Sequence, residues 1–200
     1  MLTPMLRARR GGFTLVELVV TIALLAVLLG LAAPSFTTWT RNSQVRTVSD
    51  ALQNGARLAQ TEALRRSRQV VFFLTNTATC TTSTAPASNG AFWAIRTVPL
   101  TVGETAEVVQ CGNLSDRAGG VDISGPTAIC FNSLGRQVAN AAPGIGTTTC
   151  TLASSGVSTY NISGVRADRA LRVLVSVGGQ VRQCDPARSL SSTDPDGCPP

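Results

Sequence analysis

Histidine and lysine are both absent from this 200-residue chain, and each absence closes off a kind of chemistry. Without His the chain lacks the usual general base near neutral pH and the commonest metal ligand. It also lacks the phosphate-cradling G-x-x-x-x-G-K, the G-x-S-x-G nucleophile elbow and any metal-ligand cluster, so an enzyme would have only scattered Ser, Thr and Asp to work with. The expectation is a protein with no catalytic residue, no cofactor and no metal. Charged residues make up only 14% against 44% apolar, a balance that suits a packed fold rather than a disordered chain. At this length there is room for one membrane segment and one globular domain.

All 17 basic residues are Arg, set against 11 acids, for a formal net charge of +6. Arg7, Arg9 and Arg10 stand in the first twelve residues with no acid beside them. Without that segment the excess falls to +3, since 14 Arg then face 11 acids, too little to demand a polyanionic partner.

The six cysteines, Cys80, Cys111, Cys130, Cys150, Cys184 and Cys198, are widely spaced and form no C-x-x-C pair. An even set without His points to disulfides in an oxidising compartment rather than to zinc. Six cysteines allow about 15 full pairings, and sequence does not choose among them. The short closures Cys130 with Cys150 and Cys184 with Cys198 are favoured, which leaves Cys80 for Cys111.

Residues 13–33 read FTLVELVVTIALLAVLLGLAA, interrupted only by Thr14, Glu17 and Thr21. That is about the length of a bilayer-crossing helix, whose backbone polar groups are satisfied within the segment. The Arg cluster before it places the N-terminus in the cytoplasm and the remainder outside. An ordinary cleaved signal peptide is the rival reading, because Leu31-Ala32-Ala33 loosely resembles a cleavage site. Against it stand Glu17, costly within an apolar stretch, and Pro34, a poor neighbour for signal peptidase. Arg9-Arg10 hints at a twin-arginine signal, but the following Gly-Gly-Phe is out of step with that pattern.

Gly11-Gly12-Phe13-Thr14-Leu15-Val16-Glu17-Leu18 resembles the processing site of type IV prepilins and type II secretion pseudopilins. The resemblance implies a leader, residues 1–12, cut after Gly12 by a membrane prepilin peptidase, with Phe13 becoming the N-methylated N-terminus. Independently of any family, an acid held in lipid is tolerable mainly if it gains an opposite charge. Cutting before Phe13 creates an ammonium group close to Glu17, and in a filament the partner would be the N-terminus of an adjacent subunit. Glu17 would then set axial register during assembly.

Residues 13–34 are expected to form a membrane or filament-core helix, bent at Pro34. Residues 35–68 follow as an amphipathic helix with Trp39, Val45, Val48, Leu52, Ala56, Ala59, Ala63 and Leu64 on the apolar side. Its polar side holds Arg41, Arg46, Asp50, Arg57, Glu62, Arg65 and Arg66. From residue 69 to 200 short apolar runs alternate with turn-rich stretches, the pattern of an antiparallel sheet. Strands are expected over 70–74, 92–98, 107–111, 128–131, 170–177 and 180–184, with Gly178-Gly179 a two-residue hairpin turn. Residues 75–89 and 140–156 read as surface loops, and 194–198 as a turn that folds back to bond Cys184.

Three patches further resemble the GspH/FimT branch of pilin-like proteins, the minor pilins and minor pseudopilins. They are Ala56-Arg57 with Glu62-Ala63-Leu64-Arg65-Arg66 and Val70-Val71-Phe72, then Phe131-Asn132-Ser133-Leu134-Gly135-Arg136, and Leu171 to Cys184. The resemblance implies an α+β, type IV pilin-like fold: one long N-terminal helix packed on a disulfide-braced antiparallel β-sheet domain. It implies a minor pilin that helps start a type IV pilus and sits at or near its tip. Its partners would be other pilins or pseudopilins, the prepilin peptidase and an inner-membrane assembly platform. The chain would reside in the bacterial inner membrane before assembly, then in a periplasm-spanning or extracellular pilus. A minor pseudopilin of type II secretion is the alternative that shares all this logic.

Some members of that branch carry a Gly-Arg-x-Arg pattern in the final hairpin that contacts DNA. Here Gly179-Gln180-Val181-Arg182 keeps one of the two Arg. Arg166, Arg169, Arg172, Arg182 and Arg188 are the candidates for a positive edge there, set against the plainer reading of solvated charges that deter edge-to-edge aggregation.

Overall fold

A computed structural model describes residues 12–101, 103–114 and 120–199. The leader arginines and Gly11 lie outside the described residues, as do the side chains at 32–34 and with them the kink expected at Pro34. The chain divides into two units, Met1–Thr37 and Thr38–Pro200.

A single helix, α1 (Leu15–Arg66), contributes to both units. In its first part every described side chain is exposed, including Leu15, Val16, Leu18, Val19, Val20, Ile22, Leu24 and Leu25. In its second part the apolar residues recur every three or four positions: Val45, Val48, Leu52, Ala56, Ala59 and Ala63 are fully buried. Trp39 and Leu64, expected on that stripe, are instead 66% and 49% exposed, because the sheets cover the helix only from Val45 to Ala63.

Among the described residues ten strands follow: β1 (Val70–Thr75), β2 (Phe92–Thr97), β3 (Val108–Asn113), β4 (Val121–Ser124), β5 (Ala128–Phe131), β6 (Gln137–Val138), β7 (Val157–Gly164), β8 (Leu171–Ser176), β9 (Val181–Ser189) and β10 (Gly197–Cys198). They form two five-stranded sheets, ordered β3-β2-β1-β5-β6 and β10-β9-β8-β7-β4. All pairings are antiparallel except β9 with β10. The fold is therefore α+β with a long N-terminal helix, as expected, though its strands divide into two sheets. β7 was not expected, even though Tyr160 and Ile162 alternate with Thr159, Asn161 and Ser163 as a half-buried strand requires. The tail expected only to turn also adds a short strand, β10.

The inner faces of both sheets pack on α1. Phe72, Leu74, Ile95, Ile129 and Phe131 come from the first sheet, and Tyr160, Ile162, Val173 and Val175 from the second. Gly55 lets the helix approach closely, since a Cβ there would lie 2.9 Å from the Phe72 ring. The first sheet carries a second apolar layer on its far face, made by Val71, Phe73, Ala94, Val98, Ala128 and Ile145. That explains why β1 is buried at every position, the mark of a strand covered on both sides. The structure joins Cys80 to Cys111, Cys130 to Cys150 and Cys184 to Cys198. The first two bonds tie the loop segments to the first sheet, and the third ties β10 to β9.

Two turns of one type hold the sheets together. The β8–β9 loop is three residues, 177–179, rather than the two expected: Gly179 N–H donates to Ser176 O and Ser176 N–H to Gln180 O. The β5–β6 turn repeats it, with Gly135 N–H to Asn132 O and Asn132 N–H to Arg136 O. Each ends on a glycine with positive φ, 89° at Gly179 and 71° at Gly135, the bulged three-residue hairpin. The turns touch, since a Cβ on Gly179 would stand 1.9 Å from Gly135 O.

Candidate functional site

The N-terminal site is built by helix-end chemistry. The first N–H groups of a helix have no partner inside it, and a Ser or Thr just before the first turn with a Glu three residues on can satisfy them reciprocally. Thr14 and Glu17 stand in that relation to Leu15. The Glu17 N–H donates to Thr14 Oγ1 at 3.2 Å, and the Thr14 N–H donates to Glu17 Oε2 at 3.5 Å. Leu18 N–H closes the first turn on Thr14 O at 3.2 Å. The carboxylate is thus held at the positive end of the helix, on the N–H of Thr14, the neighbour of Phe13, which is itself 86% exposed. Thr14 was not singled out from sequence, although the T-x-x-E spacing carries the signal.

Gly12 is exposed, and nothing in the chain lies within 4 Å of where its Cβ would be. The packing among the described residues does not demand glycine there.

Among the described residues no single helix is long and apolar enough to cross a membrane. Leu15–Leu31 and Ser35–Arg66 meet that test only as a pair across a break.

Four of the five candidate arginines make contacts within the chain: Arg169, Arg172, Arg182 and Arg188. Arg169 pairs with Asp185 at 2.8 Å, and Arg188 reaches Asp194 and Asp196 at 3.4 Å and Asp185 at 3.9 Å. The Arg169 guanidinium, with help from the Ala187 N–H, holds the Asp185 carboxyl below its ordinary range against the opposing effect of burial. Val173 and Val175 face α1, so Arg172 and Arg182 lie on the other face of the sheet, on diagonal positions of β8 and β9. Arg172 donates to Asn161 Oδ1 at 2.7 Å, and Arg182 to the carbonyls of Pro195 and Gly197 at 2.7 and 3.2 Å. Arg166 sits in the β7–β8 loop with φ 63°. Four of the five are thus committed to carboxylates, carbonyls or an amide of this chain.

A cleft of about 570 Å³ opens beside this region, lined by Trp39, Asn42, Arg46, Arg169, Leu171 and Asp185 among others. Sequence reasoning did not find it, because it depends on the β7–β8 loop meeting the first turns of the domain's helix. No group of three or more His, Cys, Asp or Glu among the described residues is placed to hold a metal ion.

Comparison with known proteins agrees with this geometry. Residues 7–33 match the prokaryotic N-terminal methylation motif. The structure is similar to that of the type IV minor pilin FimU of Pseudomonas aeruginosa, with 14% identity, 75% of this chain and 95% of that one covered, and a TM-score of 0.51. It also aligns with the minor pseudopilin EpsH from the type 2 secretion system of Vibrio cholerae, with 11% identity, 72% and 99% coverage and a TM-score of 0.47. E. coli GspH gives 11% identity, 72% and 89% coverage and a TM-score of 0.41. No curated protein matches the sequence. The N-terminus thus carries a methylation motif, and the fold is similar to that of a solved minor pilin.

Proposed function

We propose that this chain is a minor pilin, a low-copy structural subunit that helps initiate a type IV pilus and lies at or near its tip. The observation that carries the reading is an apolar helix half exposed on every side, beginning at a methylation motif and continuous in sequence with a domain of pilin fold. So much apolar surface is not stable in water and needs lipid or other subunits to cover it. Cleavage after Gly12 would leave Phe13 as the methylated N-terminus. The carboxylate of Glu17, four residues along from the new ammonium group and already drawn to the helix start by Thr14, would then be available to the N-terminus of a neighbouring subunit.

Support for a structural role over DNA capture comes from the arginine contacts, since Arg169 and Arg188 are balanced by Asp185, Asp194 and Asp196. A gel shift of the protein at low and moderate salt tests DNA capture, and retardation lost with salt would revive it. A pseudopilin of type II secretion shares the same N-terminal logic. The two disulfide-stapled loops over the first sheet favour a domain braced for exposure outside the cell. Deleting the gene and scoring twitching motility against protein secretion decides: a secretion defect with normal twitching would refute the pilus reading. Mass spectrometry of the native protein should give a methylated Phe13 as first residue.

A further inference from the structure

The arginines at the two ends of the domain's helix are treated differently. At the C-terminal end each has a carboxylate: Arg65 and Arg66 bind Glu62, Arg66 also Glu107, and Arg68 binds Glu104. At the other end, among the described residues, Arg46 and Arg166 have neither an ion pair nor a hydrogen bond.

Those two flank one packed junction: Arg46 lines the cleft that Asp185 and Asp196 also line, and Arg166 stands in the β7–β8 loop that packs on the same stretch of helix. Asn42 donates through its side-chain amide to Asp168 Oδ1, and its oxygen accepts from the N–H groups of Asp168 and Arg169 at 3.2 and 3.3 Å. Gly164 lies so near Val45 that a Cβ would come within 2.9 Å of it. The β7–β8 loop is therefore pinned at both ends to the helix turn 42–45, which leaves Val165 outward at 62% exposed and Arg166 beside it. Trp39, 66% exposed, precedes Asn42 by one turn. Among the described residues beyond the apolar run, the large aromatics so exposed are Phe36 and Trp39, whereas Phe72, Phe73, Trp93, Phe131 and Tyr160 are buried.

Exposed Trp with apolar and Arg neighbours is the composition of a surface that meets the membrane interface. The chain itself limits how far this surface can be from the bilayer. Trp39 follows Ala33, the last residue of the apolar run, by six positions. Six residues span about 9 Å as helix and no more than about 20 Å fully extended, while each headgroup layer is roughly 5–8 Å thick. We infer that Trp39, Arg46, Val165 and Arg166 form a docking surface for anionic phospholipid headgroups, which holds the unassembled subunit against its own bilayer. This rests on the membrane-anchored reading above.

The test uses the full chain in nanodiscs of phosphatidylcholine alone or mixed with phosphatidylglycerol, and follows amide hydrogen exchange of residues 164–170. Exchange there should be about tenfold slower or more with the anionic lipid at low salt, because two arginines near an anionic surface shift docking by that order. High salt should erase the effect. The double variant Arg46→Glu with Arg166→Glu should abolish it while leaving the thermal midpoint unchanged, since both side chains are exposed. Equal exchange in the two lipids, with the chain co-eluting with the discs, would overturn this inference alone. Failure to co-elute would overturn the anchoring and this inference together. Protection conferred by added duplex DNA in phosphatidylcholine discs, but not by phosphatidylglycerol, would assign the surface to DNA instead.

Discussion

The two halves of α1 are both rich in apolar residues, and this chain uses only one of them. From Val45 to Ala63 the apolar side chains line up every three or four residues and two sheets cover them. From Leu15 to Leu31 they lie on all sides, and every one is exposed. The first arrangement is completed by folding, whereas the second is completed only by assembly or by lipid. A stripe can be satisfied from within, but an all-round apolar cylinder calls for an environment.

Four variants bear on that contrast, from the largest effect to the smallest. Leu52→Ala empties a fully buried position in the core and should cost about 2–5 kcal/mol in denaturant unfolding of the domain. Leu24→Ala, on an exposed position, should leave that unfolding unchanged and be felt only in filament assembly. Equal losses from the two would erase the distinction. Replacing Cys184 and Cys198 together by Ser opens a closure of sequence separation 14 and should cost about 3 kcal/mol on the chain-entropy view. An unchanged midpoint would mean that the β10 segment is held by its backbone bonds alone. Thr14→Ala removes the cap of the exposed half and should cost about 1 kcal/mol locally. It should speed amide exchange at residues 15–18 while the domain's midpoint stays put, and a lower midpoint would couple the halves after all.

A fifth variant concerns the last turn of the covered half. Hydrogen bonds from Arg65 and then Arg66 bring the Glu62 carboxyl from its ordinary 4.5 down to about 2, with its side chain 13% exposed. A carboxyl whose folded value is depressed contributes fully above its unfolded value, and that contribution fades as pH falls through the folded one. The stability gap between wild type and Glu62→Gln should therefore be constant above about pH 4.5 and close by about pH 2. A gap that persists at pH 2 would show that Glu62 acts through packing instead.

Much of this molecule was legible before any coordinates. The apolar run with Glu17 inside it, the three-and-four spacing from Val45 to Ala63 and the strands around Val70, Phe92, Ala128 and Leu171 all follow from period and composition. β7 was missed because Ser158, Thr159, Asn161 and Ser163 dilute its apolar signal, although Tyr160 and Ile162 are fully buried. Trp39 and Leu64 fit the helical stripe by spacing, and only the extent of the sheets shows that nothing covers them. The arginine candidates were visible as residues, but their carboxylate partners lie up to 16 positions away and meet them only across strands or loops.

By itself the sequence determined the apolar run, the methylation motif and the covered stripe, because each depends on residues close along the chain and on periodicities of the backbone. Only the tertiary structure decided that the strands form two sheets, that Gly135 and Gly179 meet at their junction, and which arginines meet a carboxylate of this chain. Those outcomes depend on contacts between residues far apart in sequence, where side chains compete for the same neighbours and no local pattern records the winner.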